Sequence, residues 1–156
     1  MLVLILFLST TPDARAQSLF ERHIAGGTCH ARTYDAAHLA KHPRQTVTHF
    51  HLRRAEPDPL RAHHPARFSV AFGFRVKGSS DLYATMAECR AKGSGAKCLI
   101  EGDGGGFTLA PSGAALQVTV ARMEVEGAKS FSRDLARGDN RVMLLHPSDA
   151  AACADK

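Results

Sequence analysis

The chain has 156 residues, 44% of them hydrophobic, with a formal net charge of +5, nine histidines and four cysteines. That length suits one domain with a core of its own. Basic residues are scattered, with short pairs such as Arg53-Arg54, tryptophan is absent and no nucleic-acid motif occurs. Nucleic acid is therefore not an expected partner, whereas attraction to acidic glycans or to an anionic cell envelope remains open.

The first segment joins an apolar run, MLVLILFL, to a polar break, STTPD, and then to Ala14-Arg15-Ala16. An apolar stretch before an A-x-A pattern reads as a secretory signal peptide over residues 1–16, with the mature chain beginning near Gln17. The competing reading is a buried strand or helix. No Lys or Arg precedes the apolar run, so the true start is expected upstream. The run is shorter than the ~20 residues that span a bilayer, and nothing after Ala16 approaches that length. The expected protein is soluble, without a membrane span in the mature chain, and periplasmic or secreted.

Residues 17–156 are expected to form a single β-domain. Cys29 follows Gly26-Gly27-Thr28, which is not a lipid-attachment pattern. Thr33 to Pro43 carries an Asp or Thr cap, helix formers, late basic residues and a terminating proline, and predicts a short N-terminal helix. Thr46 to Arg53 predicts a strand, and the proline-rich Arg54 to Ala66 a loop. From Phe68 to Val76, Phe68, Val70, Phe72, Phe74 and Val76 alternate with smaller or polar residues, the period of a strand with one buried face. Leu82 to Cys89, Lys97 to Glu101 and Gly106 to Ala110 are weaker strands. Ala114 to Val120 alternates clearly and resumes at Met123 and Val125, so a bulge or bend is expected at Ala121-Arg122. Gly138-Asp139-Asn140 predicts a turn, Arg141 to Leu145 a strand, and Ser148 to Cys153 a short turn. Seven or eight such strands make an antiparallel β-sandwich or a small barrel.

The four cysteines, Cys29, Cys89, Cys98 and Cys153, lie in the mature part, and an even number in an exported chain implies two disulfides. Of three possible pairings the preferred one is Cys89–Cys98, which brackets the loop RAKGSGAK, with Cys29–Cys153 tying the start of the domain to its end. No C-x-x-C pair suggests a cysteine metal site.

Leu99 to Phe107, LIEGDGGGF, has the glycines of a phosphate or calcium loop but not the spacing. A dinucleotide fingerprint would need a glycine where Phe107 stands, a P-loop would need Lys-Ser/Thr, and a calcium loop more carboxylates than Asp103 supplies. Asp-Gly after a strand predicts a tight hairpin.

Two histidine spacings could chelate Zn²⁺ or Cu²⁺. His38 and His42 share a helix face, and His49 and His51 share a strand face. The competing reading buries Thr48, Phe50 and Leu52 and leaves the histidines in solvent. Enzyme signatures are missing: no G-x-S-x-G, H-E-x-x-H or S-x-x-K occurs. The pairs Glu124/Glu126 and Glu101/Asp103 each share a strand face, as glycosidase carboxylates do, but solvated faces account for them as well. No catalytic residue is expected.

The stretch Cys29 to Val47 together with Cys98 to Phe107 resembles a group of small exported bacterial proteins of unassigned function. The resemblance implies export and the cysteine framework, and it suggests that the Tyr34–Gln45 segment and the glycine hairpin touch in space. Tyr34 and Asp103 are then the candidate ligand contacts. The expected role is a non-catalytic binding module for a protein, an envelope glycan or a small ligand. The alternatives are a Zn- or Cu-binding protein using the four histidines and a secreted enzyme inhibitor.

Overall fold

The computed structural model describes residues 18–154. The expected signal peptide lies outside the described residues. Eight strands, β1 (Cys29–Thr33), β2 (Val47–Arg54), β3 (Arg67–Val76), β4 (Tyr83–Lys92), β5 (Gly95–Ile100), β6 (Gly105–Ser112), β7 (Ala115–Met123) and β8 (Val142–Ser148), run up and down in sequence order. Every neighbouring pair is antiparallel, and β8 returns to pair with β1 (Cys29↔Ser148, Ala31↔His146), so the sheet closes into a barrel. Of the two architectures expected, this is the barrel. Closure leaves no unpaired strand edge.

The alternation along each strand fills the barrel. Phe50 and Leu52 from β2, Val70, Phe72 and Phe74 from β3, Phe107 and Leu109 from β6, and Leu116, Val118 and Val120 from β7 are all buried. Phe50 stacks on Phe72 at 5.8 Å and on Phe74 at 6.0 Å, and Phe107 meets Phe72 edge-on at 5.4 Å. An eight-stranded barrel is just wide enough for side chains to fill, and these rings do so.

Both ends are closed by chain. At the lower rim, where β1 begins, a π-helical turn at Phe20–Ile24 buries Leu19, Phe20 and Ile24. The Phe20 ring lies 5.1 Å from Phe68, and the Arg61 guanidinium stands 4.0 Å over it. At the upper rim, where β1 ends, the connection 124–141 folds over the mouth and buries Val125 and Leu135. Asn140 fastens it: its Oδ1 accepts the backbone N–H groups of Thr46 (2.9 Å) and Val47 (3.0 Å).

Both expected disulfides form, Cys29–Cys153 across 124 residues and Cys89–Cys98 across nine. The second joins directly opposed residues of β4 and β5 inside the barrel. The expected helix forms as α1 (Ala36–Lys41), with the Asp35 carboxylate accepting the N–H of His38 at 2.7 Å. The bulge is also present: Gly106 pairs with Arg122 but Phe107 with Val120, so Ala121 is the extra residue.

Three elements depart from the sequence reading. β1 carries no period-two signal because Cys29, His30 and Ala31 are all buried, its outer side being covered as well. The loop 54–66 contains a helical turn, α2 (Pro59–His63), started by Asp58 and by Pro59 at its first position. The alternation expected to resume through Val125 stops with the strand at Met123. Val125 is buried by the rim loop instead, and Glu126 makes an isolated bridge to Phe131.

Candidate functional site

The histidine pairs are not brought together. His38 and His42 stack on α1 with ring centres 4.4 Å apart, and His38 Nε2 is 3.0 Å from Gln45 Oε1. His49 and His51 point outward from β2, while Phe50 and Leu52 face the core. They are not left in solvent, because the C-terminal turn at Ala150–Cys153 covers them. His49 Nδ1 bonds Thr33 Oγ1 (2.9 Å), and its Nε2 lies 3.0 Å from the Ala152 carbonyl and 3.3 Å from His51 Nδ1. Both nitrogens of His49 are thus committed to structure. Among the described residues no three His, Cys, Asp or Glu side chains gather as a metal set, so the four-nitrogen convergence is corrected to two separate pairs.

Tyr34 and Asp103 share the upper rim but do not meet. β1 and β5 run the same way and stand on opposite sides of the closed barrel. The expected contact between the Tyr34 segment and the glycine hairpin is therefore corrected. Tyr34 is half-buried between Arg32, whose guanidinium lies 5.2 Å from its ring centre, and His38 at 4.8 Å. Burial raises the Tyr34 hydroxyl pKa, partly offset by the charge of Arg32 and a hydrogen bond with Gln45. Asp103 is exposed at the tip of the β5–β6 connection.

The glycines of that connection serve the backbone. Gly102 has φ 67° and Gly105 φ 91°, the left-handed region that suits glycine. A Cβ on Gly105 would run into the Arg122 carbonyl, and one on Gly106 would stand 2.6 Å from the Cys98 carbonyl oxygen. The Arg122 guanidinium donates to the Asp103 carbonyl at 2.7 Å and pairs with Glu124 at 3.4 Å. The hairpin is thus pinned from β7 and anchored through Cys98.

A buried polar pair that the sequence did not single out lies at the lower rim. His23 is 4% exposed and His30 1%, with ring centres 5.7 Å apart. His23 Nε2 and His30 Nδ1 have no hydrogen-bond partner among the described residues. Burial depresses both pKa values. Arg22 adds to this for His23, while the backbone at Thr28 and Ala114 opposes it for His30.

A groove lies outside the barrel, on β3, β4 and β5. One depression is lined by Pro57, Leu60, Ser69, Met86, Leu99 and Ile100. A second, lined by Asp103, Arg122, Glu124, Glu126 and Phe131, shares Ile100 and Glu101 with it. The strand register sets out the surface row by row. Arg67, Arg90 and Lys97 lie side by side across three strands. Ser69, Glu88 and Leu99 form the next row, and Ala71 and Met86 the next. Beyond Met86 come Glu101 and the acidic rim. Met86 is 60% exposed, Leu99 56% and Phe131 65%, high for large apolar side chains. The groove therefore runs from cations at the lower rim, past the Arg67–Glu88 pair and the apolar Met86 and Leu99, to an upper rim where carboxylates outnumber the Arg122 cation.

The groove escaped the sequence reading, although a signal was present. Met86 and Leu99 occupy the outward phase of their strands, where alternation calls for polar residues.

Comparison with protein-family models, with curated proteins and with solved structures gives no match.

Proposed function

We propose that this chain is an exported, non-catalytic binding module whose working surface is the groove on the outer face of β3, β4 and β5, and that its partner is a protein. The observation that carries this reading is the exposed apolar pair Met86 and Leu99, set between opposite charges on a doubly stapled barrel. Exposed apolar area in a polar frame suits a protein interface. The barrel interior, filled with phenylalanine, gives a small ligand little room. Export is supported by the apolar start of the chain and by two disulfides, which persist in oxidising compartments. Among the described residues no helix is long and apolar enough to cross a membrane.

An enzyme inhibitor is the special case in which the partner is an enzyme. The pinned hairpin favours it, since a loop held in place loses little entropy on binding. Both forms are tested by affinity capture from an extract of exported proteins, using the wild type beside Met86→Asp/Leu99→Asp. A partner retained by the wild type and lost by the variant supports the groove. A partner held equally by both places the site elsewhere on the molecule.

A further inference from the structure

The charge order of the groove is self-complementary. A two-fold axis between Met86 and Leu99 would lay the cationic end of one copy over the anionic end of the other, twice, with the apolar residues meeting at the centre. We propose that the partner seated on this groove is a second copy of the same chain, paired isologously. This inference rests on the reading of the groove as a protein-binding surface, and it names the occupant.

Charge complementarity argues for a second copy. Arg67, Arg90 and Lys97 are directly opposed across strands, an arrangement that is unfavourable in an isolated sheet. Arg67 is answered by Glu88 at 3.0 Å. Among the described residues Arg90, Lys92 and Lys97 have no carboxylate partner, and neither Glu101 nor Asp103 has a cation on its side chain. Each end thus lacks what the other end supplies. An acidic foreign segment would satisfy only the lower end and a basic one only the upper, whereas the chain itself carries both in the required order. Point-group closure also stops such an interface at two copies.

Size sets the strength. Rows on one sheet face are about 6.8 Å apart and strands about 4.8 Å, so the patch is smaller than the roughly 800 Å² per partner of a standard interface. A reversible dimer is expected, with dissociation in the range of about 10 µM to 1 mM, strengthened at low salt.

The test is sedimentation equilibrium of the exported protein up to about 1 mM in low salt, a range set by that affinity. The weight-average mass of the wild type should rise with concentration, to about one and a half times the monomer mass or more at the top of the range. Arg90→Glu/Lys97→Glu alone and Glu101→Lys/Asp103→Lys alone should each stay monomeric, because like charges then face each other at both contacts. An equimolar mixture of the two should regain the dimer, since a hybrid pair restores attraction at both contacts. One chain carrying all four changes should also regain it. These side chains lie on the outer face, and circular dichroism checks that the barrel persists. If either reversal fails to fold, Met86→Asp/Leu99→Asp takes its place and should be monomeric. A wild type that stays monomeric throughout, reversal variants that dimerise like the wild type, or a mixture that stays monomeric overturns the inference. If the wild type is monomeric yet Met86→Asp/Leu99→Asp loses a captured foreign protein, the second copy is refuted and the binding reading stands.

Discussion

At the scale of single residues, two features make stability claims. The first is the pair His23 and His30, held neutral by burial with a nitrogen of each unpartnered. In the unfolded chain both histidines titrate near 6.5, and in the barrel they titrate lower. Well above pH 6.5 both states hold them neutral and nothing is lost. As pH falls through 6.5 the unfolded chain takes up protons that the folded chain refuses. Stability then drops by up to about 1.4 kcal/mol per pH unit for each histidine until the folded values are reached. Urea midpoints at pH 7.5 and 5.0 should fall more for the wild type than for His23→Leu/His30→Phe. An equal fall in both would assign the acid sensitivity to other groups. The second feature is glycine geometry. Gly105→Ala meets both a left-handed φ and the Arg122 carbonyl, whereas Gly102→Ala meets only the φ, with open space around it. Thermal or urea unfolding should show a loss of about 1 kcal/mol for Gly102→Ala and at least twice that for Gly105→Ala.

At the scale of elements, the staples differ in kind. In the chain-entropy picture the nine-residue bridge Cys89–Cys98 stabilises by about 2.6 kcal/mol and the 124-residue bridge Cys29–Cys153 by about 5 kcal/mol. Cys29→Ala/Cys153→Ala should therefore lower the unfolding free energy by more than Cys89→Ala/Cys98→Ala, as read from denaturant curves at one pH. The reverse order would mean that strain or residual unfolded structure dominates. Much of the element plan was legible in the sequence. β3 showed itself through five phenylalanine and valine residues at alternate positions, the bulge at Ala121 through a parity switch, and α1 through Asp35. β1 was hidden because burial on both sides erases alternation. α2 was hidden because three prolines in 54–66 read as a loop, although Pro59 begins the helix.

At the scale of the whole molecule, the candidate site arises from the register in which β3, β4 and β5 pair, which no single strand's pattern reports. That register sets Met86 one row from Leu99 and aligns Arg67, Arg90 and Lys97, which are far apart along the chain. The closed barrel in turn separates residues that the sequence invited one to join, such as Tyr34 and Asp103, and the α1 and β2 histidines do not converge. The central claim is that the outer groove is the working surface. Hydroxyl-radical footprinting reads it directly, because Met86 is 60% exposed while Met123 and Met143 are buried and serve as internal references. Compared between dilute protein and a sample in which a complex has formed, Met86 oxidation should fall at least threefold, since an interface core excludes water, with Met123 and Met143 unchanged. If the complex forms and Met86 oxidises as fast as before, while exposed Val142 and Leu144 on β8 become protected, the account is contradicted.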